Sequence, residues 1–148
     1  WFFVPFTTAT QLEFSLQTQD ENDVYRTVVP VPSQPGIIAV EVPKTAPALK
    51  LDQPYRWTLK AVVPCPSAEP DQPFVQGWIE RVTAPEIAAG DSSMKARQYA
   101  EVGIWYDAVT TVAESRLRSP NDAKLKYTWV ELLRSEQLEI IADQPMRN

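Results

Sequence analysis

The sequence predicts an α+β protein, with an antiparallel β-sandwich over residues 1–84 followed by a helical bundle over residues 85–148 that packs on it. Three observations predict this. Twelve of the 14 prolines lie at or before residue 85, together with most β-branched and aromatic residues, whereas Ala, Glu, Lys, Leu and Arg at helical spacing dominate afterwards. The first half carries runs in which apolar and polar residues alternate, the period of a strand with one buried face. Turn residues recur there every 8 to 20 positions with no helical pattern between them, which favours an antiparallel arrangement over a parallel one. With 148 residues, 44% of them hydrophobic, the chain can bury a core without staples.

Taken in order, Trp1, Phe2, Phe3, Val4, Pro5 and Phe6 read as a buried strand whose upstream sequence has been cut away, because an exposed run of this kind would be an apolar liability. Leu12, Phe14 and Leu16 alternate with Gln11, Glu13, Ser15 and Gln17, the clearest strand in the chain. Asp20, Glu21, Asn22 and Asp23 form a polar hairpin turn into a strand over 24–29. Gly36 opens another over 37–42, residues 55–63 alternate again, and a last strand runs from about Phe74 to Val82. Prolines 30, 32, 35, 43, 47, 64, 66, 70 and 73 stand where strands should end, and they blunt sheet edges because they offer no ladder donor.

In the second half, Pro85 and Glu86 begin a short helical turn ending at Gly90, and Asp91, Ser92 or Ser93 caps a helix through about Val102. Gly103 breaks it. The next helix sets Ile104, Ala108, Val112 and Ser115 on one stripe with Trp105, Val109 and Ala113 beside it, and ends at Ser119 and Pro120. Asn121 or Asp122 caps a third with Leu125, Trp129, Leu132 and Leu133 on one face, and a short fourth covers 137–142.

Composition excludes several classes of function. The net charge is −5, from nine acidic against six basic residues through residue 84 and ten against eight after it, with no basic run to neutralise phosphates, so no nucleic-acid partner is expected. Histidine is absent, which removes imidazole acid–base catalysis and His-ligated metals, and a single cysteine cannot build a zinc site or an internal disulfide. No apolar stretch is long enough for a transmembrane segment. Asp20, Glu21 and Asp23 lack the glycine and terminal glutamate of a calcium loop and read as a solvated turn. No Gly-rich phosphate loop or nucleophile elbow occurs, and no cofactor or metal is expected. Trp57, Trp78, Trp105 and Trp129, with Tyr99 and Tyr106, sit on apolar stripes, so most of these rings read as packing residues rather than as a sugar platform.

Three resemblances add to this. Leu51, Asp52, Gln53 and Pro54 before Tyr55 and Trp57 resemble the tyrosine corner of fibronectin type III and immunoglobulin-like domains, which implies that fold for the sandwich. Tyr99, Gly103, Ala108, Val112, Ser115 and Pro120 resemble one tetratricopeptide repeat, departing from it at Lys95 and Ser115, and one repeat cannot form a peptide groove. The whole chain resembles a largely cyanobacterial family known as domain of unknown function 928, on Trp1 to Pro5, Asn22 to Thr27, Pro35 to Ile37, Tyr55 to Trp57, Gly77 to Val82, Ala100 to Ala108, and Trp129 with Glu131 to Leu133. That family looks secreted, so the resemblance implies an exported protein of the cell envelope or periplasm.

The expected function is a noncatalytic protein-interaction module with an unknown protein partner, its contact residues being Arg81, Trp105 and Tyr106. The alternative is a carbohydrate-binding module of the envelope. In an exported chain, Cys65 is expected to pair with a cysteine outside this sequence.

Overall fold

The computed structural model describes residues 1–5, 7–64 and 72–147. Cys65 and its expected disulfide lie outside the described residues. The chain divides into two compact units, Trp1–Thr83 with Arg147–Asn148, and Ala84–Met146.

The first unit holds two sheets, the larger antiparallel throughout. One has four strands, β2 (Gln11–Thr18), β3 (Asp23–Val29), β5 (Pro54–Val62) and β6 (Phe74–Glu80), in the order β3-β2-β5-β6. The other has three, β1 (Phe2–Val4), β4 (Gly36–Ile38) and β7 (Met146–Arg147), in the order β1-β4-β7. The period-two pattern of β2 becomes its burial: Leu12, Phe14 and Leu16 are buried while Gln11, Glu13 and Ser15 are not. Its neighbours are in register, with Leu16 opposite both Tyr25 and Trp57, and Phe14 opposite Leu59. These inner residues share one apolar core with Val4 and Ile38 of the other sheet.

Two local features explain how the core closes. The buried Tyr55 hydroxyl accepts a hydrogen bond from the Lys50 N–H at 3.0 Å, which ties the strand start to the preceding loop as the corner resemblance implies. Tyr55→Phe leaves that N–H without its partner and is expected to cost about 1–2 kcal/mol, read from the denaturation midpoint. Across the β5–β6 ladder Trp57 faces Gly77, where a Cβ would lie 2.5 Å from the indole Cζ2, so glycine lets this ring lie against the β6 backbone and meet Phe2 edge-on at 5.2 Å.

Two expectations for this unit are corrected. The strand expected over 37–42 spans only Gly36–Ile38, the length of its ladder with a three-residue β1. The chain end, which carries no strand pattern, supplies β7; the Arg147 guanidinium donates to the Gln34 side chain at 3.1 Å and to the Pro35 carbonyl at 3.4 Å.

The second unit has three helices, α1 (Ser92–Glu101), α2 (Trp105–Arg118) and α3 (Ala123–Ser135). Asp91 caps α1 by accepting from the Met94 N–H, and Asp122 caps α3 by accepting from Lys124 and Leu125. Gly103 ends α1 at φ +79°, a conformation that costs a residue with a Cβ more. Ala96, Ala108, Val112, Ala113, Trp129 and Leu133 form the interior, small residues allowing α1 and α2 to approach closely. The expected turn over 85–90 is absent: the Ala88 N–H bonds to the Gln98 side chain at 2.7 Å instead of to a helical carbonyl. The expected fourth helix is a 3-10 turn, Glu139–Ile141, which follows Gln137 at φ +59°.

Candidate functional site

The outer face of the four-stranded sheet is a grid set by the register. One row across the strands reads Val28, Glu13, Lys60, Phe74; the next Arg26, Ser15, Thr58, Gln76; the third Asp23, Gln17, Arg56, Trp78. Long side chains in the first and third rows flank the hydroxyl residues of the second, so the middle row floors an open depression of about 540 Å³. Alternation therefore does two jobs in β2 and β5, since the residues not used for the core become the trough.

The walls are pre-arranged. Gln17 donates to Asp23 at 2.8 Å, Arg56 donates to Gln17 at 3.3 Å and to Glu21 at 3.0 Å, and Arg26 pairs with Asp23. The Arg26 hydrogen bond, with that from Gln17, holds the Asp23 carboxyl below its usual range. Glu13 stands opposite Lys60. The carboxylates of the expected hairpin turn, Glu21 and Asp23, are thus partners of arginines, and among the described residues no cluster suited to a metal occurs. Each cation of the trough has a carboxylate partner or neighbour, and the Gln17 amide is engaged by Asp23 and Arg56, so the Ser15 and Thr58 hydroxyls are the neutral hydrogen-bonding groups of the floor. On the same face, on β6 beyond the residues that line the depression, stand two half-exposed aromatic residues, Phe74 at 58% and Trp78 at 51%. Four residues apart on one strand, their Cα atoms are about 13 Å apart.

The three residues expected to make contacts lie elsewhere. Arg81 is exposed, and its guanidinium donates to the Leu49 carbonyl at 3.0 Å while its own carbonyl accepts from Asp52, so it pins the end of β6 to the loop before β5. Trp105 and Tyr106 open α2 in the second unit, with ring centroids 5.7 Å apart. The Trp105 indole is half-buried and donates to the Leu132 carbonyl at 3.2 Å, whereas Tyr106 is 48% exposed. The trough residues were not singled out from sequence because alternation marks a polar face without showing which polar residues adjoin.

A smaller polar depression of about 260 Å³ lies where α1 and α3 begin and α2 ends, between Asp91, Ser93, Ser115, Arg118 and Lys124. Lys124 bonds to Asp91 at 2.6 Å, and this contact with the Met94 N–H lowers the Asp91 pKa. It reads as the joint that ties two helix starts together.

Among the described residues no helix is long and apolar enough to cross a membrane. No curated protein and no solved structure matches the chain. A family does match, over residues 1–146, and the chain belongs to it: the family described as Domain of Unknown Function (DUF928).

Proposed function

We propose that this protein is a noncatalytic binding module and that the outer trough of the four-stranded sheet is its ligand site, taking a strand of neutral polysaccharide. The observation that carries this reading is the trough itself: a floor of Ser15 and Thr58 between Glu13, Gln17, Arg26 and Lys60, on the same sheet face as the exposed Phe74 and Trp78 of the next strand, β6. Hydroxyls and amides suit the equatorial and axial hydroxyls of sugars, and exposed rings suit their apolar faces. Paired charges leave little net field to select a charged polymer. Export to the cell envelope of a cyanobacterium belongs to this reading and rests on the family resemblance.

The same reading takes the sheet unit as immunoglobulin-like and α1 with α2 as one tetratricopeptide-like hairpin. The strand order β3-β2-β5-β6 beside β1-β4-β7 and the Lys50 to Tyr55 bond support the first, and Gly103 between the two helices supports the second.

Binding to a glycan array or to insoluble neutral polysaccharides tests the proposal. Thr58→Arg, which fills the floor, and Trp78→Ala, which removes a ring, should each weaken retention by about tenfold or more, the loss of one central anchor. Because the site is neutral, added salt should leave retention unchanged. No retention on any neutral glycan, or binding that Thr58→Arg leaves intact, would refute it. A protein partner, the expectation drawn first from the sequence, is favoured by one separate observation: the apolar outer edge of β6, where Val75 is 54% exposed beside Phe74.

A further inference from the structure

We infer that the polar depression where α1 and α3 begin and α2 ends is an oxyanion site, and that it takes a single phosphate group, free or carried as an ester. The inference stands apart from the glycan reading, because every residue that builds this depression belongs to the helical unit. Its volume of about 260 Å³ has room for one such group with a few bound waters, at ~30 Å³ apiece, and none for a polymer.

The start of a helix carries about half a positive charge from its aligned peptide dipoles, and acidic residues in the first turn usually offset it. Neither α1 nor α3 has an acidic residue there. In its first turn α3 instead sets Lys124, a cation at a positive end, and Arg118 of α2 lines the same depression. The two carboxylates present serve as caps. Asp91 accepts from the Met94 N–H and from the Lys124 ammonium, and Asp122 Oδ1 accepts from the Lys124 and Leu125 N–H groups.

Donors are in surplus around this depression. Arg118 Nη2 donates to the Ser115 hydroxyl at 3.1 Å, and that hydroxyl donates to Ser92 at 2.7 Å, so the Ser92 hydrogen is left to donate onward. A guanidinium and an ammonium each carry several N–H donors, of which the bonds to Ser115 and Asp91 use one apiece. Glu114 lies 4.0 Å from Arg118 Nη1, beyond hydrogen-bond reach. Ser93 is the observation that points to a ligand: it lines the depression, is 2% exposed, and its hydroxyl has no hydrogen-bond partner. A buried donor left unpaired is costly, and a folded protein retains one where something outside the chain supplies the acceptor. The oxygens of one phosphate group, spread tetrahedrally, offer acceptors to Ser92, Ser93, Arg118 and Lys124 together.

Titration calorimetry of the whole chain with inorganic phosphate should show one saturable site, and phosphate should raise the melting temperature more than sodium chloride of equal ionic strength does. Glycerol phosphate, titrated beside it, separates the two sources: tighter binding than inorganic phosphate marks an ester as the natural group, and weaker binding marks the free ion. Ser93→Ala should weaken phosphate binding about tenfold, the loss of one hydrogen bond to a charged group, while the melting temperature without phosphate stays the same or rises. Arg118→Gln should weaken it by a similar factor. Asp122→Asn, which keeps a good cap and removes a negative charge, should tighten binding severalfold, a gain that no loss of structure produces. No effect of phosphate beyond that of chloride, binding that Ser93→Ala leaves intact, or weaker binding by Asp122→Asn would each overturn the inference.

Discussion

Trp129→Ala is expected to destabilise the helical unit by about 4 kcal/mol, the upper part of the range for emptying a buried aromatic site. The ring is 1% exposed and is the largest of the fully buried side chains. Three effects combine on its removal. The indole volume is lost from among Leu125, Leu132, Leu133 and the α2 face, and neighbours on three short helices cannot all relax into the space. The Nε1–H donates to the Ala142 carbonyl at 3.2 Å, which anchors the segment after α3 to the bundle. The Arg116 guanidinium lies 5.2 Å from the ring centroid, and burial, which lowers the Arg116 pKa, already makes its charge costly to hold. Without the ring that cation loses its attractive surface. Guanidinium titration followed by far-ultraviolet circular dichroism should show the helical signal lost at lower denaturant, and Trp129→Phe, which keeps most of the volume, should recover the larger part. A shift below about 1 kcal/mol for the alanine variant would show that the bundle closes over the gap.

Leu16→Ala is expected to cost about 3 kcal/mol in the sheet unit. Leu16 is 1% exposed on the inner face of β2, a strand flanked on both sides, and it stands between Tyr25 and Trp57 in the register. Trp57 is itself held between Gly77 and Phe2, so it cannot shift to fill the space. Ser15→Ala, one residue away on the outer face, is the matched control and should change stability by less than about 0.5 kcal/mol. Urea denaturation of the pair checks both. Equal effects would mean that β2 does not separate core from surface as its burial pattern indicates.

Much of the fold was legible because local chemistry and burial agree. In β2 and β5 the apolar residues recur every second position, and a strand turns successive side chains to opposite faces. Caps at Asp91, Ser92 or Ser93 and at Asn121 or Asp122 were legible because a short polar side chain before an apolar-periodic run satisfies the first free N–H groups of a helix, and the structure uses Asp91 and Asp122. Other parts were not. Met146 and Arg147 show no pattern of their own and become a strand only because β4 presents an edge and Gln34 and Pro35 accept the Arg147 guanidinium. Ala88 loses its helical turn to the side chain of Gln98, ten residues away, which no local propensity reports.

The candidate site divides in the same way. That Glu13, Ser15, Gln17, Arg56, Thr58 and Lys60 face water follows from alternation alone. That Ser15 adjoins Thr58, with Gln17 and Arg56 to one side and Glu13 and Lys60 to the other, depends on register.

By itself, then, the amino-acid sequence determined where the longer strands and helices lie, which of their faces are apolar, and that the chain holds no histidine and a single cysteine, because each of these depends on residue type and on spacing within a few positions. The tertiary structure decided which polar side chains meet and where a floor of small residues opens between long ones. Those outcomes arise largely from strand pairings such as Ser15 with Thr58, 43 positions apart, and Lys60 with Phe74, 14 apart, and such distances carry no periodic signal in a single chain.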